Sequence, residues 1–242
     1  MKLDVLAFAA HPDDVELSCS GTLLVEKHNG KKTGVIDLTC GEMGSRGTAE
    51  SRKEEAAASA EILKLDVREN LNMPDAFFEH NKENIIKIIE KIRQYQPDIV
   101  LCNAPEDRHP DHGKGAKLVE DACFLSGLIK IETLNNGVAQ NPWRPKYVFN
   151  YIQDRHLEPD FLIDISHVID EKLASIHAFK TQFFNANFQG PETYISQPTF
   201  LENLINYNRL LGKRIGVPFA EGFISTKKIG IRNFDALIKE NT

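Results

Sequence analysis

Two short runs hold histidine and aspartate at spacings that suit metal chemistry. The first is Ala9-Ala10-His11-Pro12-Asp13-Asp14. The second is His109-Pro110-Asp111-His112, preceded by Ala104-Pro105-Glu106-Asp107-Arg108. Many α/β proteins place a glycine-rich turn after the first strand to cradle phosphates. Adjacent carboxylates in that position repel a pyrophosphate and attract a divalent cation. By itself the first run is open between a metal site and a helix cap, a role that Asp commonly fills. The second run shifts the balance, provided that the fold brings the two together.

Hydrophobic periodicity predicts that it does. Leu3–Ala9 is an apolar run of strand length, and Val15 to about Lys27 is an amphipathic helix that stops at Asn29-Gly30. Thr33–Thr39 is a second strand, followed by the glycine-rich loop Cys40–Thr48. A helix from about Ala49 to Leu63 opens on a candidate capping box, Ser51 with Glu54. A short strand, Val67–Leu71, leads to the loop Asn72-Met73-Pro74-Asp75. A helix over Asn84–Tyr95 carries Ile85, Ile88, Ile89 and Ile92 on one face, and Asp98–Asn103 is a fourth, very apolar strand. The helix after it sets Ala116, Val119, Ala122 and Cys123 on one side. Alternation of this kind calls for a mostly parallel, Rossmann-like α/β sheet with helices on both faces. With strand order 3-2-1-4 the first and fourth strands are neighbours at the switch point, and the two runs face each other across it.

The rest of the chain is an elaborated C-terminal part. Gly127–Pro145 is irregular, Lys146–Ile152 and Phe161–Ile165 read as strands, and Val168–Phe179 reads as a helix. Asn185–Pro198 is a polar segment suited to a lid or a partner contact. Phe200–Leu211 reads as a helix and Ala220–Ile231 as turn and strand. We expect a single domain over residues 1–242. The net charge is −6, from 29 basic and 35 acidic residues, which argues against broad nucleic-acid binding. Cys19, Cys40, Cys102 and Cys123 form no C-x-x-C pair, as in a reduced, cytoplasmic protein. No apolar run approaches the roughly 20 residues of a membrane span.

The paired motifs resemble those of the PIG-L/LmbE-like zinc-dependent N-deacetylases. So do Glu50-x-Arg52-Lys53-Glu54-Glu55-Ala56, Asn72-Met73-Pro74-Asp75 and Ala220-Glu221-Gly222-Phe223. Within that family the chain looks most like the deacetylases of bacillithiol biosynthesis, which act on N-acetylglucosaminyl malate. Other relatives act on other GlcNAc conjugates and on chitin oligosaccharides. The resemblance implies one Zn2+ per chain, with Fe2+ able to take the same ligands: His11, Asp14 and His112. A catalytic zinc with three N/O ligands and one open position is consistent with that set. The resemblance makes Asp13 the general base, His109 a protonated stabiliser of the oxyanion, and Asp111 the carboxylate that orients His109. It also implies a homo-oligomer.

Arg52 extends the stripe Ala56, Ala60, Leu63 at the start of its helix, and so reads either as a structural ion pair or as a ligand contact. The resemblance favours contact with the sugar or a carboxylate of the substrate. Arg46 is a second candidate for malate, Asp75 for sugar hydroxyls and Tyr194 for an oxyanion. A non-catalytic metal- or sugar-binding module is the alternative function, and it needs no base beside the metal.

Overall fold

The structure is a computed structural model that describes residues 1–186, 190–231 and 233–234. Its centre is β1 (Val5–Ala9), whose residues are all buried. Alternate side chains of a strand point to opposite faces, and β1 uses both. Leu6 and Phe8 enter one core, while Val5, Ala7 and Ala9 enter another. The second core is closed by α1 (Asp14–Ser18) and α2 (Ser20–His28), through Val15, Cys19 and Leu23.

β2 (Thr33–Thr39) pairs parallel with β1 and is followed by α3 (Ala49–Ile62). β3 (Val67–Met73) pairs parallel with β2 and extends two residues beyond the expected end. The first core is covered by α4 (Lys82–Tyr95), which brings Ile88, Ile89 and Ile92. β4 (Ile99–Cys102) pairs parallel with β1 on its other side, and α5 (Pro110–Leu125) packs Leu118, Val119 and Ala122 beside α4. The expected 3-2-1-4 order is therefore present, with helices on both faces.

The stretch expected to be irregular after α5 contains a small hairpin, β5 (Leu134–Asn135) and β6 (Val138–Ala139). Its Asn136 and Gly137 both have positive φ, as a tight hairpin turn requires. β7 (Tyr147–Tyr151) continues the main sheet parallel to β4. β8 (Phe161–Asp164) and α6 (Ile169–His177) follow, then α7 (Phe200–Arg214) and β9 (Ala220–Ser225). The order of the seven-stranded sheet is β3-β2-β1-β4-β7-β9-β8, with β9 antiparallel to both neighbours. Part of the expected lid segment, residues 187–189, lies outside the described residues. The rest of it carries a capped 3-10 turn at Tyr194–Ser196. No described helix is long and apolar enough to cross a membrane.

Two local readings are corrected. The cap of α3 is Thr48, paired reciprocally with Ser51, and not Ser51 with Glu54. Thr48→Ala should cost about 1 kcal/mol of stability in chemical denaturation. The helix expected over Val15–Lys27 breaks at Cys19. Side chains from far along the chain stabilise the break. Lys172 Nζ donates to the carbonyls of Glu16 and Leu17, at 3.0 and 2.8 Å, and so closes the end of α1. Glu221 accepts the N–H groups of Gly21 and Thr22, at 3.0 and 2.7 Å, and caps α2. The two side chains pair at 2.7 Å and are fully buried. Gly21 permits this approach, since a Cβ there would stand 2.9 Å from Glu221 Oε1.

Candidate active site

Because β1 and β4 lie side by side and parallel, the turns after them open at the same edge of the sheet. The first turn carries His11, Asp13 and Asp14. The second carries His109 just before α5, with Asp111 and His112 in the first turn of that helix. The rings of His11, His109 and His112 have centroids between 4.6 and 5.6 Å apart.

Asp14 stands between two of these rings. Its Oδ2 is 3.6 Å from His11 Nδ1 and its Oδ1 is 3.1 Å from His112 Nε2. Asn103 Nδ2 and the His11 N–H donate to Oδ2 at 3.0 and 2.9 Å, and Gln153 Nε2 donates to Oδ1 at 3.2 Å. Burial favours a neutral Asp14, but the charges and hydrogen bonds of His112 and His11 overcome it and hold the carboxyl well below its usual range. Burial likewise opposes protonation of His112. Asp14 and Asp107 prevail, and the pKa rises to about 9. For His11 the same opposition is outweighed by Asp111, Asp14 and Asp75, and the pKa lies well above the usual value.

Two imidazoles and a carboxylate thus hold protons between them. A divalent cation is the other species that such a set binds, after release of those protons. His11, Asp14 and His112 are buried N/O donors that line the cavity, a donor chemistry that fits a catalytic divalent site. Among the described residues, two other sets bring one ligand atom each within 4.8 Å of one another: His11, Asp75 and Asp111, and His11, His109 and His112; His11, Asp14 and His112 are joined instead through the two oxygens of Asp14. Asp75 and Asp111 accept N–H groups of Met43, Ala76 and Lys114, as Asp14 accepts those of His11, Asn103 and Gln153. His109 Nδ1 accepts the Asp111 N–H at 3.3 Å, which leaves Nε2 as a donor and not a ligand.

Asp13 has a different partner. It sits at φ 117°, in the left-handed region that non-glycine residues rarely occupy. Arg52 Nη2 lies 3.0 Å from Asp13 Oδ2 and also donates to the Pro12 carbonyl. One guanidinium therefore holds both the strained backbone and its carboxylate. Gly41, at positive φ, leaves the space that Arg52 fills. Burial, with the charges of Asp14 and Glu16, raises the Asp13 pKa to about 7 against the pull of Arg52 and His11. A carboxylate poised near neutrality suits proton transfer.

Three expectations meet a different geometry. Asp111 does not set its carboxylate on His109. Its oxygens accept the Ala76 N–H and Lys114 Nζ, and Oδ2 lies 3.4 Å from His11 Nε2. The hydrogen bond between Asp111 and His109 is the one that the Asp111 backbone N–H donates to His109 Nδ1. His109 is not favoured as an imidazolium, because burial and the charges of His11 and His112 push its pKa down. Tyr194 lines the same cavity, but its hydroxyl donates to Asp154 at 2.8 Å and its ring packs under Arg108. Arg46 is buried on the wall of this cavity, which measures about 900 Å3. Asp75 contacts His11 Nε2 at 3.0 Å.

The sequence pattern marks neither Asn103 nor Gln153 as a site residue, and it reads Asp107 as a polar contact that fixes its loop. Asn103 and Gln153 are polar residues just beyond the C-terminal ends of β4 and β7. That is where an open α/β sheet builds its site, and the position itself was the available signal.

The model of the PIG-L family, GlcNAc-PI de-N-acetylase, matches residues 6–123. These residues hold every proposed ligand. A crystal structure of a conserved protein from Thermus thermophilus is 36% identical, with a TM-score of 0.84, covering 95% of this chain and 97% of that one. Diacetylchitobiose deacetylase from Thermococcus kodakarensis is 28% identical over 228 residues, 90% of this chain and 81% of that protein. 4-Oxalmesaconate hydratase from Pseudomonas putida is 27% identical over 192 residues, 73% of each. The matched motifs, the near-complete overlap with the Thermus protein and the shared sheet make this chain a member of the PIG-L family.

Proposed function

We propose that this protein is a metal-dependent N-deacetylase of a GlcNAc conjugate. N-acetylglucosaminyl malate of bacillithiol biosynthesis is the first substrate to test and a chitin oligosaccharide the second. The observation that carries the reading is the division between the adjacent aspartates. Asp14 faces two imidazole nitrogens, and Asp13 is held apart by Arg52 with a pKa near 7. A pure binding site has no use for such a base.

When bound by His11, Asp14 and His112, Zn2+ or Fe2+ supplies Lewis acidity: it polarises a carbonyl and acidifies water. Asp13 accepts a proton from the attacking water as its oxygen bonds to the acetyl carbon. His109 donates from Nε2 to the developing oxyanion. The C–N bond then breaks, and the proton taken by Asp13 passes to the leaving amine. The products are acetate and a free amine. Arg46 and Arg52 line the cavity and are the cations proposed to meet a carboxylate-bearing aglycone, Arg52 while it keeps its pair with Asp13. We include in the proposal one ion per chain and a homo-oligomeric assembly.

Acetate release from a panel of GlcNAc conjugates, malate and chitobiose included, tests the reading. Release is expected from at least one and should fall to background after chelation. The hydratase relative supplies the competing outcome. Consumption of 4-oxalmesaconate with no acetate from any conjugate would replace deacetylation by hydration.

A further inference from the structure

The outward-facing nitrogens of both proposed ligand histidines end on buried carboxylates. His11 Nε2 is 3.0 Å from Asp75 Oδ1, and His112 Nδ1 is 2.6 Å from Asp107 Oδ2. The side chains of Asp75 and Asp107 are only 6% and 1% exposed. Each is anchored through its other oxygen. Asp75 Oδ2 accepts the Met43 N–H at 2.9 Å, and Asp107 Oδ1 accepts the Arg155 N–H at 2.7 Å. One comes from the loop after β3 and the other from the loop after β4, so the two contacts arise independently.

An ionised carboxylate accepts hydrogen bonds and has none to give. In each pair the ring nitrogen must therefore carry the hydrogen. That decides which nitrogen of the neutral ring is left with a lone pair: Nδ1 in His11 and Nε2 in His112. These are the nitrogens that face Asp14, at 3.6 and 3.1 Å. With the opposite tautomers, both rings would turn an N–H toward Asp14 and the donor set would be lost. Asp111 also approaches His11 Nε2, at 3.4 Å, but its oxygens already receive Ala76 and Lys114.

We propose that Asp75 and Asp107 are a matched pair of positioning residues, each fixing the tautomer and ring angle of one metal-ligating histidine. The proposal rests on the metal-centre reading above. It gives Asp75 a task beside the sugar hydroxyl expected of it.

The test uses the full-length protein, with Asp75→Asn, Asp107→Asn and the double variant. Zinc affinity is measured by competition with a chromogenic chelator, and the visible spectrum is recorded after loading with Co(II). Each Asn variant should bind zinc about 10–100-fold more weakly, with an altered Co(II) band and unchanged circular dichroism in the metal-free state. Asp75→Glu and Asp107→Glu, which keep the acceptor charge, should recover part of the affinity. Affinities within about twofold of the parent with an unchanged Co(II) spectrum would overturn the positioning roles and leave the metal centre standing. Loss of folded structure in the metal-free Asn variants would overturn the roles in favour of a structural one. A parent protein that binds neither metal would overturn the metal centre and the proposal with it.

Discussion

Asp13→Asn should lower acetate release by about a hundred- to ten-thousand-fold, the range for loss of a general base. Metal content should stay that of the parent. The substitution keeps the size of the side chain and removes only its ability to take a proton. Asp14, Asn103 and Gln153, which hold the neighbouring donor set, are not touched. Arg52 loses its carboxylate partner at 3.0 Å but keeps the Pro12 carbonyl, so the turn has a reason to stay in place. Kinetics should show the loss in kcat with little change in KM. Metal analysis on the same preparation separates this outcome from a collapsed site. Turnover near that of the parent would remove Asp13 from the role of base.

Lys172→Met should be the most destabilising single change away from the site. Lys172 and Glu221 are both fully buried, at 2.7 Å. Removing the cation leaves the Glu221 charge unpaired in the interior, which typically costs about 3–5 kcal/mol. For a chain of this size that corresponds to a fall in Tm on the order of 10 °C. The double variant Lys172→Met/Glu221→Gln removes the orphan charge, and the single Gln oxygen can still accept one of the Gly21 and Thr22 N–H groups, which different carboxylate oxygens hold in the parent. It should regain part of the loss, though not all, because the Glu16 and Leu17 carbonyls lose their donor in both variants. Thermal melts of the parent, Lys172→Met, Glu221→Gln and the double variant form a double-mutant cycle. Strictly additive effects would show that the pair is not coupled.

Much of the centre was legible because it depends on local pattern. The apolar runs of β1 and β4 fixed where the two His/Asp turns fall, and the alternation of strand and helix brought those turns together. His11, Asp14 and His112 converge for that reason. What was not legible depends on contacts made across the fold. Nothing within Val15–Lys27 announces a break at Cys19. The break is stabilised by side chains at positions 172 and 221, and the local sequence favours a continuous helix. Thr48 was passed over as a cap because Ser51 with Glu54 matches the usual capping pattern, yet only the tertiary entry of the chain shows which residue begins the helix. Asp111 and His109 are neighbours in sequence, and the expected pairing of their side chains fails on direction. The first turn of α5 points the Asp111 carboxylate toward Ala76 and Lys114. Arg52 was left open between an ion pair and a ligand contact, and the structure gives it an ion pair with Asp13.

The broken helix also sets the order in which the centre can be completed during synthesis. Every proposed ligand and the base lie within the first 112 residues and emerge early from the ribosome. The lysine that closes the end of α1 and the carboxylate that caps α2 come more than 50 and 100 residues later. Until they arrive, the five-residue helix that begins with Asp14 has unsatisfied carbonyls at its end, and α2 has unsatisfied N–H groups at its start. A nascent chain cut after residue 219 would hold the full set of proposed ligands and Lys172, which closes α1, but not Glu221, which caps α2.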